Sequence, residues 1–215
     1  MRAARTAILI SGSGTNLQAF IDAVARGDVA LDIRLVFSNV ESAYGLQRAQ
    51  QAGIPALALS HGHFDDRESF DRAVAAKLDA VDPELIILAG FMRILSPWFV
   101  RRYAGRILNI HPALLPLYPG LNTHQRAINA GDQWHGSTVH FVTEELDGGP
   151  RVLAGRLRIE NGDDAASLNR RIQAIEHRIY PKAADWVATG RVRCNGGAVL
   201  LDDQPLIQPV VEDFD

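Results

Sequence analysis

The sequence predicts an α/β fold, a doubly wound and mostly parallel sheet flanked by helices. Three observations carry this. Short apolar runs alternate with helix-period segments through the first half of the chain, as strand–helix–strand units require. Leu85–Ala89 reads L-I-I-L-A, apolar at every position, which suits a strand covered on both faces. Ala7–Ile10 stops at S-G-S-G-T-N, and helical spacing follows from Leu17 to Arg26, giving strand, glycine-rich turn and helix.

The remaining elements follow in order. Asp32–Ser38 reads as the second strand, and a helix near Tyr44–Ala52 ends at Gly53. Pro55–Leu59 can form a short strand. Asp66–Val81 is an amphipathic helix with Phe70, Val74, Ala75 and Leu78 on one face. Ser96 and Pro97 start a helix that should end near Gly105, since proline is tolerated at the first helical position. Ile107–His111 is the next strand, stopped by Pro112. Thr123–Ala130 is helical and closed by Gly131; Gly136–Thr143 and Arg151–Ile159 alternate as strands that extend or decorate the sheet edge. Asp163–Ala188 is a long helix with acidic residues at its start. The tail from Arg191 to Leu206 carries N-G-G between apolar runs, a hairpin signal. With no repeat and no linker, one domain spanning 1–215 is expected.

Composition narrows the function classes. The 215 residues are 47% hydrophobic and 22% charged, an ordinary globular mix long enough for a substantial core. A net charge of -3 gives no global pull toward nucleic acid, and no apolar run approaches the roughly 20 residues of a membrane span. The lone Cys194 excludes an intrachain disulfide and a multi-cysteine metal site, which suits a reducing cytoplasm. The histidines show no H-E-x-x-H or comparable spacing, so no metal is expected.

Three stretches carry chemistry. Ser11–Asn16 presents backbone N–H groups to an anion at a helix start. It lacks the third glycine of a dinucleotide fingerprint, where Leu17 stands, and the lysine of a Walker loop, so a small phosphate ester fits best. A tight turn that needs glycine accounts for the same residues. In Ile107–Gly120, Asn109 and His111 lie two apart and share a strand face, an amide donor beside an imidazole. A turn cap and a satisfied core histidine are the structural alternative. Asp147, in L-D-G-G-P, can orient an imidazole or simply make a turn. The carboxyl ends of the strands are where such a fold would gather these loops.

Taken together and in order, I-S-G-S-G-T-N-L-Q, A-G-F-M-R-I-L-S-P, N-I-H-P-A-L-L-P-L-Y-P-G and V-T-E-E-L-D-G-G-P resemble the phosphoribosylglycinamide formyltransferases, folate-dependent enzymes of purine synthesis. The resemblance runs from about Ala7 to Gly190 and includes Q-A-I-E-H-R-I-Y-P in the long late helix. It implies a formyltransferase fold with a Rossmann-like amino-terminal half. Residues 7–105 would form the phosphate-binding half and 106–215 the catalytic and folate-completing half. The implied reaction moves a formyl group from 10-formyltetrahydrofolate, a consumed cosubstrate, to the amino group of glycinamide ribonucleotide.

Carried over by motif, Asn109, His111 and Asp147 match the catalytic trio. Gly14, Thr15 and Asn16 would hold the substrate phosphate, and Glu176 the glycinamide substrate. Arg67, Met92, Arg93, Ile94, Leu95 and Asn109 would bind folate, with Leu88, Val100 and Ile107 as apolar neighbours and the Glu144–Asp147 loop beside the pterin. In the implied chemistry Asn109 and an imidazolium at His111 stabilise the oxyanion, and Asp147 keeps His111 oriented and charged. Leu117 stands where some relatives carry lysine and Asn122 where several carry histidine, so no charge-based binding is expected at either. Partners are expected to be small molecules, not nucleic acid or membrane, for a monomer or homodimer in the cytoplasm. Methionyl-tRNA formyltransferase and formyltetrahydrofolate hydrolase share the pattern around Asn109 and His111. The first would need a further carboxyl-terminal domain and the second an amino-terminal one, and neither is expected here. A non-catalytic nucleotide-binding module would use Ser11–Asn16 alone.

Overall fold

The computed structural model describes residues 2–195 and 197–215. Its elements are β1 (Ala4–Ile10), α1 (Thr15–Arg26), β2 (Leu31–Ser38), α2 (Tyr44–Gln51), β3 (Ala56–Ala58), α3 (Arg67–Asp79), β4 (Leu85–Leu88), α4 (Pro97–Arg102) and β5 (Ile107–His111). There follow α5 (Thr123–Ala130), β6 (Trp134–Phe141), β7 (Arg151–Arg158), α6 (Ala165–Ala188), β8 (Val192–Asn195), β9 (Ala198–Leu201), β10 (Gln204–Pro205) and β11 (Val210–Asp213). Eight strands form one sheet in the order β11-β7-β6-β5-β4-β1-β2-β3. From β3 to β5 neighbours are parallel; β6 runs antiparallel to both β5 and β7, and β11 returns parallel to β7. The mostly parallel, doubly wound sheet is therefore as the sequence predicts. Strand order reverses between β1 and β4, which opens a crevice at their carboxyl ends.

Alternation along the strands divides the core in two. Ile8, Ile10, Ile87, Leu108 and Ile110 face a cluster shared with Leu17 and Phe20 of α1 and with Ile172, Ile175 and Ile179 of α6. Ala7, Leu9, Ile86, Leu88 and Ile107 face the other side, where Phe70, Val74 and Leu78 of α3 and Phe99 of α4 cover them. Each of the larger side chains, once buried, contributes about 1.5–3 kcal/mol. Asn109 and His111 share their face with Ile107, placing them on the α3–α4 side.

Several boundaries move for identifiable reasons. Asp66 and Asp164 lie outside their helices as caps, each accepting from the N–H of a serine three residues on while that serine's hydroxyl lies within reach of the cap's own N–H. Thus α3 and α6 start later than the acidic residues suggest. The helix opened by Pro97 ends at Arg102, because Tyr103 turns into the core and its hydroxyl donates to Asp79 Oδ1 at 2.8 Å. The tail hairpin forms between β8 and β9 as N-G-G suggests, although Gly196 of that turn lies outside the described residues. With β10 it makes a separate three-stranded sheet, and β11, absent from the sequence expectation, extends the main sheet instead.

Candidate active site

Glycine shapes the loop after β1. Gly14 is left-handed at φ 71 and precedes α1 with no side chain to cap it, so the first N–H groups of the helix stay free. Gly45, at the start of α2, packs directly against it: a Cβ on Gly14 would lie 2.7 Å from Gly45 Cα. The backbone N–H groups at Gly14, Thr15 and Asn16 thus gather at the start of α1, in the geometry of the anion cradle that the sequence suggests. Arg48, which sequence reasoning missed, braces it, with Nε donating to Ser13 O at 2.9 Å and the guanidinium over the Tyr44 ring. A recess of about 320 Å³ lies beside it, lined by Thr15, Gln18, Asp22, Arg48 and His177 among others.

The Asn16 side chain turns inward rather than toward this recess. Its Nδ2 donates to Glu176 Oε2 at 2.9 Å, and its Oδ1 is buried without a protein partner. Glu176, on α6, is buried as well, and burial raises its pKa above the ordinary value of 4.5 against the pull of hydrogen bonds from Asn16 and Ser137. Ser137 Oγ lies 2.9 Å from Glu176 Oε1 and 2.8 Å from the His111 carbonyl. One hydroxyl proton serves only one of those oxygens, and the carbonyl can only accept. A protonated Glu176 carboxyl satisfies both contacts. This chain of polar groups joins the anion loop to the back of β5.

At the end of β5, His111 is 6% exposed and its ring lies between two acceptors. Nε2 donates to Tyr118 O at 2.8 Å, and Nδ1 lies 3.4 Å from Asp147 Oδ2. The first is a hydrogen bond, and the second sets a carboxylate beside the other edge of the ring. Asn109 is half-buried, and register sets it opposite His140 of β6. His140 Nδ1 donates to Phe141 O at 3.0 Å, so its Nε2 keeps a lone pair and accepts from Asn109 Nδ2 at 3.2 Å. Burial lowers the pKa of His140, in keeping with a neutral ring. Asp147 Oδ1, 3.9 Å from that Nε2, is therefore a neighbour and not an ion-pair partner. The second N–H of Asn109 stays available.

Asp147 reaches His111 by a different route from the one the sheet rule suggests. Because β6 is antiparallel, its last residue, Phe141, pairs with Leu108, nearer the start of β5 than its carboxyl end. The segment 142–150 must fold back over the sheet face. Asp147 adopts φ 53, and Gly149 passes so close to β6 that a Cβ would lie 1.8 Å from Phe141 O, which accounts for D-G-G. Asp147 Oδ2 also accepts from Gly120 N at 2.9 Å, tying this segment to the proline loop. A larger cavity of about 620 Å³ lies at this loop too, between Leu115, Arg151 and the tail hairpin.

The expected folate residues lie across the crevice. Met92 and Ile94 stand 72% and 57% exposed, whereas Leu95 is buried beside Phe99. Arg93 is half-buried, its guanidinium over the Phe70 ring, and Arg67 is exposed at the first turn of α3. Between these arginines lies buried Asp71, whose pKa is raised by burial against the pull of Ser96, Arg93 and Arg67. Leu88, Val100 and Ile107 are core residues behind this wall. Among the described residues no group of three or more His, Cys, Asp or Glu is arranged to hold a metal, and no helix is long and apolar enough to cross a membrane.

Known proteins resemble this chain over most of its length. The formyl transferase family model matches residues 4–184. A phosphoribosylglycinamide formyltransferase of Escherichia coli is 50% identical over 199 residues, covering 93% of this chain and 94% of that one. The human trifunctional purine biosynthetic protein adenosine-3 is 42% identical over 88% of this chain, which spans 19% of that protein. A solved phosphoribosylglycinamide formyltransferase from Coxiella burnetii superimposes with a TM-score of 0.94 at 47% identity, over 98% of this chain and 99% of that one. A likeness this even, from the anion loop through the long late helix, makes the chain a member of the phosphoribosylglycinamide formyltransferase family.

Proposed function

We propose that the chain transfers the formyl group of 10-formyltetrahydrofolate to the amino group of glycinamide ribonucleotide, with Asn109, His111 and Asp147 as its catalytic residues. The observation that carries this is the grouping of a free amide N–H on Asn109 with a ring at His111 held between Asp147 and Tyr118 O. The neutral amine attacks the formyl carbon, forming a C–N bond while charge collects on the formyl oxygen. Asn109 donates to that oxygen, and the oxygen replaces the Tyr118 carbonyl as the acceptor at His111 Nε2. Such donors are worth about 3 kcal/mol of barrier each. The bond to the folate nitrogen then breaks, and the proton lost by the amine ends on that nitrogen. Asp147 holds the ring and is available to position a water for the transfer.

In the same reading residues 7–105 hold the ribonucleotide phosphate on Gly14, Thr15 and Asn16, and residues 106–215 supply the trio and complete the folate site. Glu176 meets the substrate from beneath Asn16. Arg67, Met92, Arg93, Ile94 and Leu95 line the folate side together with Asn109. The test is direct. Purified protein, 10-formyltetrahydrofolate and glycinamide ribonucleotide should give the absorbance change of folate deformylation only when all three are present. A signal without the ribonucleotide would replace transfer by hydrolysis.

A further inference from the structure

Ser11 occupies the point where the strand order reverses, one residue beyond β1. Its N–H donates to Gly90 O at 3.1 Å. Its hydroxyl lies 2.7 Å from Met92 N and 2.5 Å from Asn39 Oδ1. Met92 N can only donate and Asn39 Oδ1 can only accept, so the direction is fixed: Met92 N–H to Ser11 Oγ, then Ser11 O–H to Asn39. Asn39 follows β2 and is 5% exposed. A single hydroxyl therefore ties together the loops that leave β1, β2 and β4.

The far end of the Gly90–Ser96 segment is held by Ser96 N, which donates at 2.6 Å to the carboxylate of buried Asp71. Between the two anchors Met92 and Ile94 project outward. The near anchor belongs to the loop that contains the anion cradle. From this geometry we infer that Ser11 is a positioning residue that couples the ribonucleotide and folate subsites. The inference rests on the proposed function for the identity of the two ligands. A phosphate on the N–H groups of Gly14–Asn16 fixes the Ser11–Asn16 loop, and with it the acceptor from which Met92 hangs. Folate then meets a segment already in place. By linkage the effect is reciprocal: each ligand tightens the other by the same factor.

The test is equilibrium binding of tetrahydrofolate, the deformylated product, with and without saturating glycinamide ribonucleotide, so that no turnover occurs. In the wild type each compound raises the affinity of the other by at least about fivefold. Ser11→Ala brings that factor to about one, while both compounds still bind singly; Ser11→Thr, which keeps the hydroxyl, retains it. General damage to the fold would weaken both single affinities and leave the ratio unchanged. Should Ser11→Ala not fold, Asn39→Asp still accepts the hydroxyl proton and keeps the coupling, whereas Asn39→Ala reduces it. Independent binding in the wild type, or full coupling in Ser11→Ala or Asn39→Ala, overturns the inference. A wild type that binds neither compound overturns the substrate assignment and the coupling with it.

Discussion

Replacing Glu176 by glutamine distinguishes a neutral carboxyl from a carboxylate at the centre of the molecule. The glutamine amide reproduces the neutral state, its oxygen accepting from Asn16 Nδ2 and its N–H donating to Ser137 Oγ, which remains free to donate to His111 O. In the wild type the folded state holds a proton above pH 4.5 that the unfolded chain gives up. Stability is thus fully present below the unfolded value and declines by about 1.4 kcal/mol per pH unit above it, until the folded group ionises. Glu176→Gln has no such decline. The variant's stability relative to wild type should therefore rise with pH, by about 1.4 kcal/mol for each unit over that window. Urea unfolding of both proteins at about pH 5, 6 and 7, with unchanged m-values, measures the gap and cancels every other titrating group. A gap that stays constant, or is widest in favour of the variant at the lowest pH, refutes a neutral Glu176.

Three further outcomes are expected. His111→Ala should lower kcat by about a hundredfold or more while tetrahydrofolate still binds; a variant that turns over normally removes His111 from the mechanism. Gly14→Ala must place a Cβ 2.7 Å from Gly45 Cα at a φ of 71, so it should cost about 1–3 kcal/mol of stability and weaken ribonucleotide binding more than folate binding, as calorimetry can read. Burial pushes His135 down to about 4, and its Nε2 lies 3.0 Å from His124 Nδ1. Below the ordinary value of 6.5 the unfolded chain binds a proton that the native ring refuses, so this contribution is present above 6.5 and lost as pH falls toward about 4. Chemical denaturation against His135→Gln should show the wild-type advantage shrinking by up to about 3 kcal/mol over that range, and an advantage that grows instead would contradict it.

Much of the site was legible because strand geometry has a period of two. That period alone put Asn109 beside His111, and glycine spacing alone marked the Ser11–Asn16 loop. Register was not legible. Nothing in the sequence says that His140 faces Asn109, because that depends on β6 entering antiparallel. Asp147 stood out as a carboxylate between a strand and two glycines, but its route to His111 was hidden for the same reason: its loop leaves from the level of Leu108 and returns over the sheet. The pairing of Asn16 with Glu176 spans 160 positions, and Arg48 bracing the cradle had no local signature at all. Ser11 looked like one more polar residue in a glycine-rich turn, and only the placement of β1 between β4 and β2 gave its hydroxyl two partners.

The carboxylate of Asp147 has consequences for how the site is assembled. One oxygen, Oδ2, faces the His111 ring and also receives the N–H of Gly120. The loop after β6 and the proline loop after β5 are thereby latched on the same atom that completes the histidine's environment. Removing the Asp147 carboxylate would take away the acceptor of Gly120 N–H and the acid beside His111 together. The two loops and the surroundings of the imidazole thus share one constraint, so a sequence change in either loop bears on the other loop and on the ring at once.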